Sequence, residues 1–197
     1  IEHDERIFFM RILLSVLILI LGFQSLTKAD DIRDFEIEGM SLYQSALNFF
    51  SETKIKNSEE DYYQNKTFKT ATIDSRNFEV YQDVQISYKA GDKKYILHDI
   101  SGIVDKKYDI CLDEIKSISE EFDKMFSKTK FEDLYTFKHD DDPSGKSLVS
   151  DMYWEFDNGD KILLACYKWN PEYEKGYTDD MRITISSKEF DQFLLNE

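Results

Sequence analysis

Basic residues are in short supply: 25 Lys and Arg stand against 40 Asp and Glu, a formal net charge of -15. That balance argues against nucleic acid and anionic lipid headgroups as partners, because an acidic surface repels both. It favours solubility and is compatible with cationic partners. Cysteine is scarcer, with Cys111 and Cys166 the only two. Beyond the N-terminal stretch the histidines are His98 and His139 alone. No Gly-x-Ser-x-Gly elbow and no His-Glu-x-x-His pair occurs, so neither a hydrolase nucleophile nor a zinc-protease helix is signalled. No apolar run approaches the about 20 residues that a membrane-spanning helix needs.

The longest apolar run is Ile12 to Phe23, broken only by Ser15 and Gly22. Arg11 precedes it, and Thr27 and Ala29 follow two apart, as a signal-peptidase site requires. This is the pattern of a secretory signal peptide over residues 10–29, cut before Asp30. The rival is an uncleaved anchor recruiting Ile7, Phe8 and Phe9, which would place Arg11 inside the apolar stretch. Residues 1–9 precede Met10 and read as upstream read-through. The remainder, residues 30–197, has the length of one ordinary domain. Aromatic residues make up 15% of the chain, too many for disorder and enough for a core. After signal cleavage no membrane span is expected, and the location read from this pattern is periplasmic or secreted.

Local patterns then divide the domain. Phe35 and Ile37 alternate with acids as a short edge strand. Ser41 caps a helix whose Leu42, Ala46, Phe49 and Phe50 share one face, ended by the polar stretch from Lys54 to Asp61. Strands are predicted at 68–73, 78–89 and 95–104, with Gly102 marking a bulge or a close packing partner. Cys111, Ile115, Ile118, Phe122 and Met125 make the stripe of a second helix, with Asp109 as its cap. Strands follow at 131–137, 148–156, 161–169 and 181–185, the middle pair joined at Asn158-Gly159. In the third of these, Ile162, Leu164 and Cys166 line one face and Leu163, Ala165, Tyr167 and Trp169 the other, which marks a central strand. Ser186 and Glu189 cap a short last helix carrying Phe190, Phe193 and Leu194. The expected fold is α+β: an antiparallel sheet of six to seven strands with helices packed on one face, in two halves of helix plus meander.

In an oxidising compartment two cysteines read as a disulfide. Cys111 heads the helical stripe and Cys166 shares a strand face with Ile162 and Leu164, so both side chains should enter the space between helix and sheet. Two separate buried thiols are the alternative.

Three segments, Asp31 to Ser41, Asp142 to Ser147 and Ile183 to Phe190, resemble a group of uncharacterised exported proteins of AT-rich marine alphaproteobacteria. The resemblance implies a periplasmic home in a Gram-negative cell. It carries no activity and transfers no functional residue. Glu38-Gly39-Met40-Ser41 is also similar to the start of small outer-membrane assembly lipoproteins of the helix-then-three-strands type, although no lipobox cysteine follows the leader here.

Candidate sites are few. Gly145-Lys146-Ser147 ends like a phosphate loop, but the position that should hold the first glycine is Asp140. Asp140, Asp141 and Asp142 offer oxygens to calcium without the alternate spacing of an EF-hand. His139 beside Asp140 could serve an acid–base pair, whereas His98 lies on an apolar strand face. Trp169, Tyr173 and Tyr177, threaded with Glu172, Glu174 and Lys175, form an aromatic loop suited to anchoring a ligand or partner. No motif requires a cofactor, a metal or a catalytic residue. The first reading is a non-enzymatic binding or interaction module of the bacterial envelope, its partner an envelope protein or small ligand. The alternatives are an envelope hydrolase built around His139 and Asp140, and a calcium-stabilised structural domain.

Overall fold

Strand alternation in this chain runs in two meanders, each introduced by a helix. The computed structural model describes residues 31–74, 76–126, 128–140, 142–172 and 178–196. The leader at 10–29, the residues before it, Asp141, Tyr173 and Tyr177 lie outside the described residues. In chain order the elements are α1 (Glu52–Asn57), β1 (Glu59–Glu60), β2 (Phe68–Asp74), β3 (Asp83–Lys89), β4 (Asp99–Asp105), α2 (Tyr108–Met125), β5 (Lys130–Lys138), β6 (Leu148–Glu155), β7 (Lys161–Lys168), β8 (Asp180–Ser186) and α3 (Lys188–Leu194). The strands form one antiparallel sheet in the order β1-β2-β3-β4-β8-β7-β6-β5, so the two meanders meet where β4 pairs with β8. Among the described residues no helix is long and apolar enough to cross a membrane.

The sheet has eight strands rather than six to seven. The additional strand is β1, two glutamates without any alternation, which exists because the edge of β2 supplies partners for Glu59 and Glu60. The segment expected as a short edge strand instead closes on itself: Ile37 bridges Met40 around Glu38 and Gly39, which sit at φ 51° and 77°. The Glu38 carboxylate then accepts the backbone N–H groups of Glu79, Val80 and Tyr81, tying this corner to the approach to β3.

The helix expected from Ser41 does not form. Tyr43 and Ala46 donate their N–H groups to the carbonyls of Leu97 and Tyr95, and Leu97 donates to Gln44, so tertiary pairing takes the backbone groups a helix would use. Only a 3-10 turn at Ala46–Asn48 remains, and Phe49 is exposed rather than on a core stripe. The first α-helix starts later, capped by the Ser51 hydroxyl, which accepts the Lys54 N–H at 3.2 Å.

Helix α2 follows its pattern. Cys111, Ile115, Ile118 and Phe122 are buried against β7 and β8, while Lys107, not Asp109, occupies the cap position without a side-chain bond. An Asp179 carboxylate oxygen supplies that acceptor from across the chain, taking the Tyr108 N–H at 3.3 Å. The Cα atoms of Cys111 and Cys166 are 5.8 Å apart and the two fully buried residues are joined as a disulfide linking α2 to β7. Gly102 has the close partner its strand position implied: the Tyr81 ring fills the space a β-carbon there would need. The hairpin at Asn158-Gly159 forms, though with Asp157 and Asn158 at the corners and Gly159 at φ 85°, its N–H donating to Phe156.

The helices do not all share one face. Ile55 of α1 and the stripe of α2 join the main core, made of Ala71, Ile73, Val84, Ile86, Ile100, Ile162, Leu164, Ile183 and Ile185. Helix α3 lies on the opposite face, because Phe190 and Phe193 pack on Phe68, and Phe68 alternates away from Ala71 and Ile73 along β2.

Candidate functional site

Cross-strand register defines what that second face displays. Its central row runs Asp83, Ile103, Arg182, Ala165, Asp151 and Tyr135 from β3 to β5. The row toward α3 holds Gln85, Ser101, Thr184, Leu163 and Tyr153, and the row away from it Asp105, Asp180, Tyr167, Val149 and Phe137. Helix α3 covers only one end of this face. Lys161 holds it there through Asp191 at 2.8 Å, Lys89 through Glu189 at 2.6 Å, and Tyr63 packs against Phe193 at 4.9 Å between ring centroids. With strands about 4.8 Å apart, the six strands from β3 to β5 present a surface about 24 Å wide.

A polar network stiffens its middle. Arg182 donates to Asp180 through Nε at 2.7 Å and Nη2 at 3.3 Å, and lies 4.0 Å over the ring of Tyr167. Burial opposes the Arg182 charge, but Tyr167 and Asp180 beside it outweigh burial and raise its pKa above the ordinary range. Asp180 also accepts the Trp169 indole N–H at 2.9 Å, and the rings of Trp169 and Tyr167 stack at 5.6 Å. His139 closes the group, its ring centroid 4.8 Å from Trp169 and 6.0 Å from Tyr167. Thus Trp169 belongs to this face, fixed by its hydrogen bond rather than swinging on a loop. His139 is the third ring of the cluster, tilted against the stacked pair by 47° and 56°. Neighbouring carboxyls are perturbed: burial raises Asp151, and burial together with Asp74 and Asp105 raises Asp83. At the covered end, burial pushes Asp99 up to about 7 against hydrogen bonds from Ser186 and Ser101 that favour its charge.

At the edge of the sheet, Tyr135 and Phe137 stack with centroids 6.0 Å apart and planes 19° from parallel. They are 68% and 37% exposed, which makes Tyr135 the most exposed aromatic side chain of the described sheet. Neither was singled out from the sequence. The signal was present as Tyr-x-Phe on one face of a predicted strand, but the same alternation also describes a covered face.

The other candidates have separate fates. Asp142 is buried in its loop, accepting the N–H groups of Ser144 and Ser147 and the Ser147 hydroxyl, each at 2.8 Å. Although burial opposes it, those bonds hold the Asp142 carboxyl well below the usual carboxylate range. Gly145, at φ 64°, completes a turn whose N–H donates to the Asp142 carbonyl, so the Gly145-Lys146-Ser147 stretch is used to close this loop. His98 is buried, its Nδ1 within 3.2 Å of the Ser187 hydroxyl and its ring edge-on to Phe68, and burial lowers its pKa. Among the described residues no group of three or more His, Cys, Asp or Glu is placed to hold a metal ion. Compared with family models, curated proteins and solved structures, the chain finds no match.

Proposed function

We propose that the protein is a non-enzymatic interaction module of the bacterial envelope, exported by its leader and working in the periplasm, and that its partner docks on the open face of the sheet. The observation that carries this reading is the asymmetry of the two faces. One carries α1 and α2; among the described residues α3 is the one helix on the other, at one end, and its far edge exposes the rings of Tyr135 and Phe137. Aromatic side chains give docking surfaces large contact area at small entropic cost. The Cys111–Cys166 pair supports an oxidising compartment. The rigid Trp169–Asp180–Arg182–Tyr167 network supports a preorganised surface rather than a catalytic constellation.

Capture from envelope extract tests the proposal when wild type is compared with face variants. A stoichiometric partner should be retained by wild type and by Glu120→Ala/Glu121→Ala on α2, and lost with Tyr135→Ala/Phe137→Ala. Retention by the Tyr135→Ala/Phe137→Ala variant, or turnover of an envelope substrate abolished by His139→Ala, contradicts it.

A further inference from the structure

We infer that the partner engages the open face through arginine or lysine side chains, one of which lies over the Tyr135 ring beside Asp151; this rests on the docking reading above. The first ground is charge. Across the three cross-strand rows the only base is Arg182, and its charge is already matched by Asp180. Asp83, Asp105 and Asp151 remain in those rows, while the bases beside them, Lys130 and Lys161, are paired with Glu132 and Asp191, in a chain whose net charge is -15. An incoming surface of positive sign is therefore attracted, and one of negative sign repelled.

The second ground is a pattern that the face repeats. Arg182 lies over Tyr167, and its carboxylate partner Asp180 is the residue directly opposite Tyr167 on the neighbouring strand. Lys161 lies 4.7 Å over Tyr153 and pairs with Asp191. Each is a cation on an aromatic ring with a carboxylate beside it, the arrangement in which ring quadrupole and ion pair reinforce each other. Tyr135 stands directly opposite Asp151 and repeats the ring-plus-carboxylate unit at the exposed edge. Among the described residues, no basic side chain lies over that ring. The Tyr135–Phe137 stack holds the ring in place, so a docking guanidinium meets a fixed surface. The width of about 24 Å fits a peptide segment or protein surface rather than a single small cation.

An arginine-rich peptide titrated into the purified, isotope-labelled protein tests this, with lysine and glutamate versions of the same length as comparators. The arginine and lysine peptides should shift the backbone amides of Tyr135, Phe137 and Asp151, more weakly as salt is raised. Tyr135→Ala and Asp151→Asn should each weaken that binding by about tenfold. Because Tyr135 is exposed, its variant should keep the wild-type melting midpoint, so lost binding is not lost folding. Shifts confined to the acidic outer side of α2, or affinity indifferent to both substitutions, overturn the inference as diffuse charge attraction. A self-association abolished by Tyr135→Ala overturns it in favour of a second copy. If an envelope partner is captured and lost with Tyr135→Ala/Phe137→Ala, yet is indifferent to Asp151→Asn and to competing arginine peptide, the cationic inference fails while the docking reading stands.

Discussion

Asp99 is a carboxylic acid in the middle of a sheet, 7% exposed, with its pKa pushed up to about 7 by burial. In the unfolded chain an aspartate titrates near 3.9, so the folded state binds the proton more tightly. Stability from this group is therefore fully present below about pH 4, falls as pH rises, and is lost once pH passes about 7. Asp99→Asn, which stays neutral, should flatten that decline and raise the urea midpoint above pH 7; parallel pH profiles for the two proteins contradict this. Gly102 gives a second residue-scale test. Its missing β-carbon is what lets the Tyr81 ring pack against β4, so Gly102→Val should cost about 1–3 kcal/mol by overpacking, measured as a shift of midpoint at unchanged slope. The glycine's role was legible as a close approach within an alternating strand. The partner was not: the strand expected at 78–89 starts only at Asp83, and Tyr81 lies in the irregular approach to it, where alternation does not say which way a ring turns.

Elements with strong periodicity were readable, and those made by long-range pairing were not. Helix α2 carries its stripe at spacings of four and three, and the β6–β7 hairpin alternates on both sides of a turn, so local pattern and final structure agree. The stretch from Ser41 to Phe50 has a helical spacing too, yet its backbone bonds to Tyr95 and Leu97, which a local reading cannot see. Likewise α3 could be recognised as a helix, but its place on the opposite face depends on Phe68 across the sheet. The α2–β7 link follows from two legible patterns meeting. With 55 positions between Cys111 and Cys166, closing the loop stabilises the fold by at most about 4 kcal/mol. Thiol titration in denaturant should find no free thiol in exported protein, and Cys111→Ala/Cys166→Ala should lower the urea midpoint; two free thiols per chain contradict the bond. The loop after β5 is held by Asp142 and its serines, so EDTA should leave the melting midpoint unchanged, and a drop restored by calcium would assign the loop a metal role.

At the scale of the whole molecule, one eight-stranded sheet carries α1 and α2 on one face and, among the described residues, α3 as the one helix on the other. Sequence alternation located Tyr167 and Trp169 on one face of the strand expected at 161–169, but alternation alone does not say how much of that face is covered, because an apolar or aromatic side chain looks the same whether a helix or solvent lies above it. The aromatic loop singled out from sequence contributes Trp169 to this surface, and the edge pair Tyr135 and Phe137 emerges only from strand order. The most direct measurement of the central claim is hydroxyl-radical footprinting of side chains, with and without the partner captured from envelope extract. Oxidation of Tyr135 and Phe137 should fall in the complex while that of exposed Leu47, before α1, and Ile110, on the outer side of α2, stays unchanged. Protection of Leu47 and Ile110 with Tyr135 and Phe137 still reactive would contradict it.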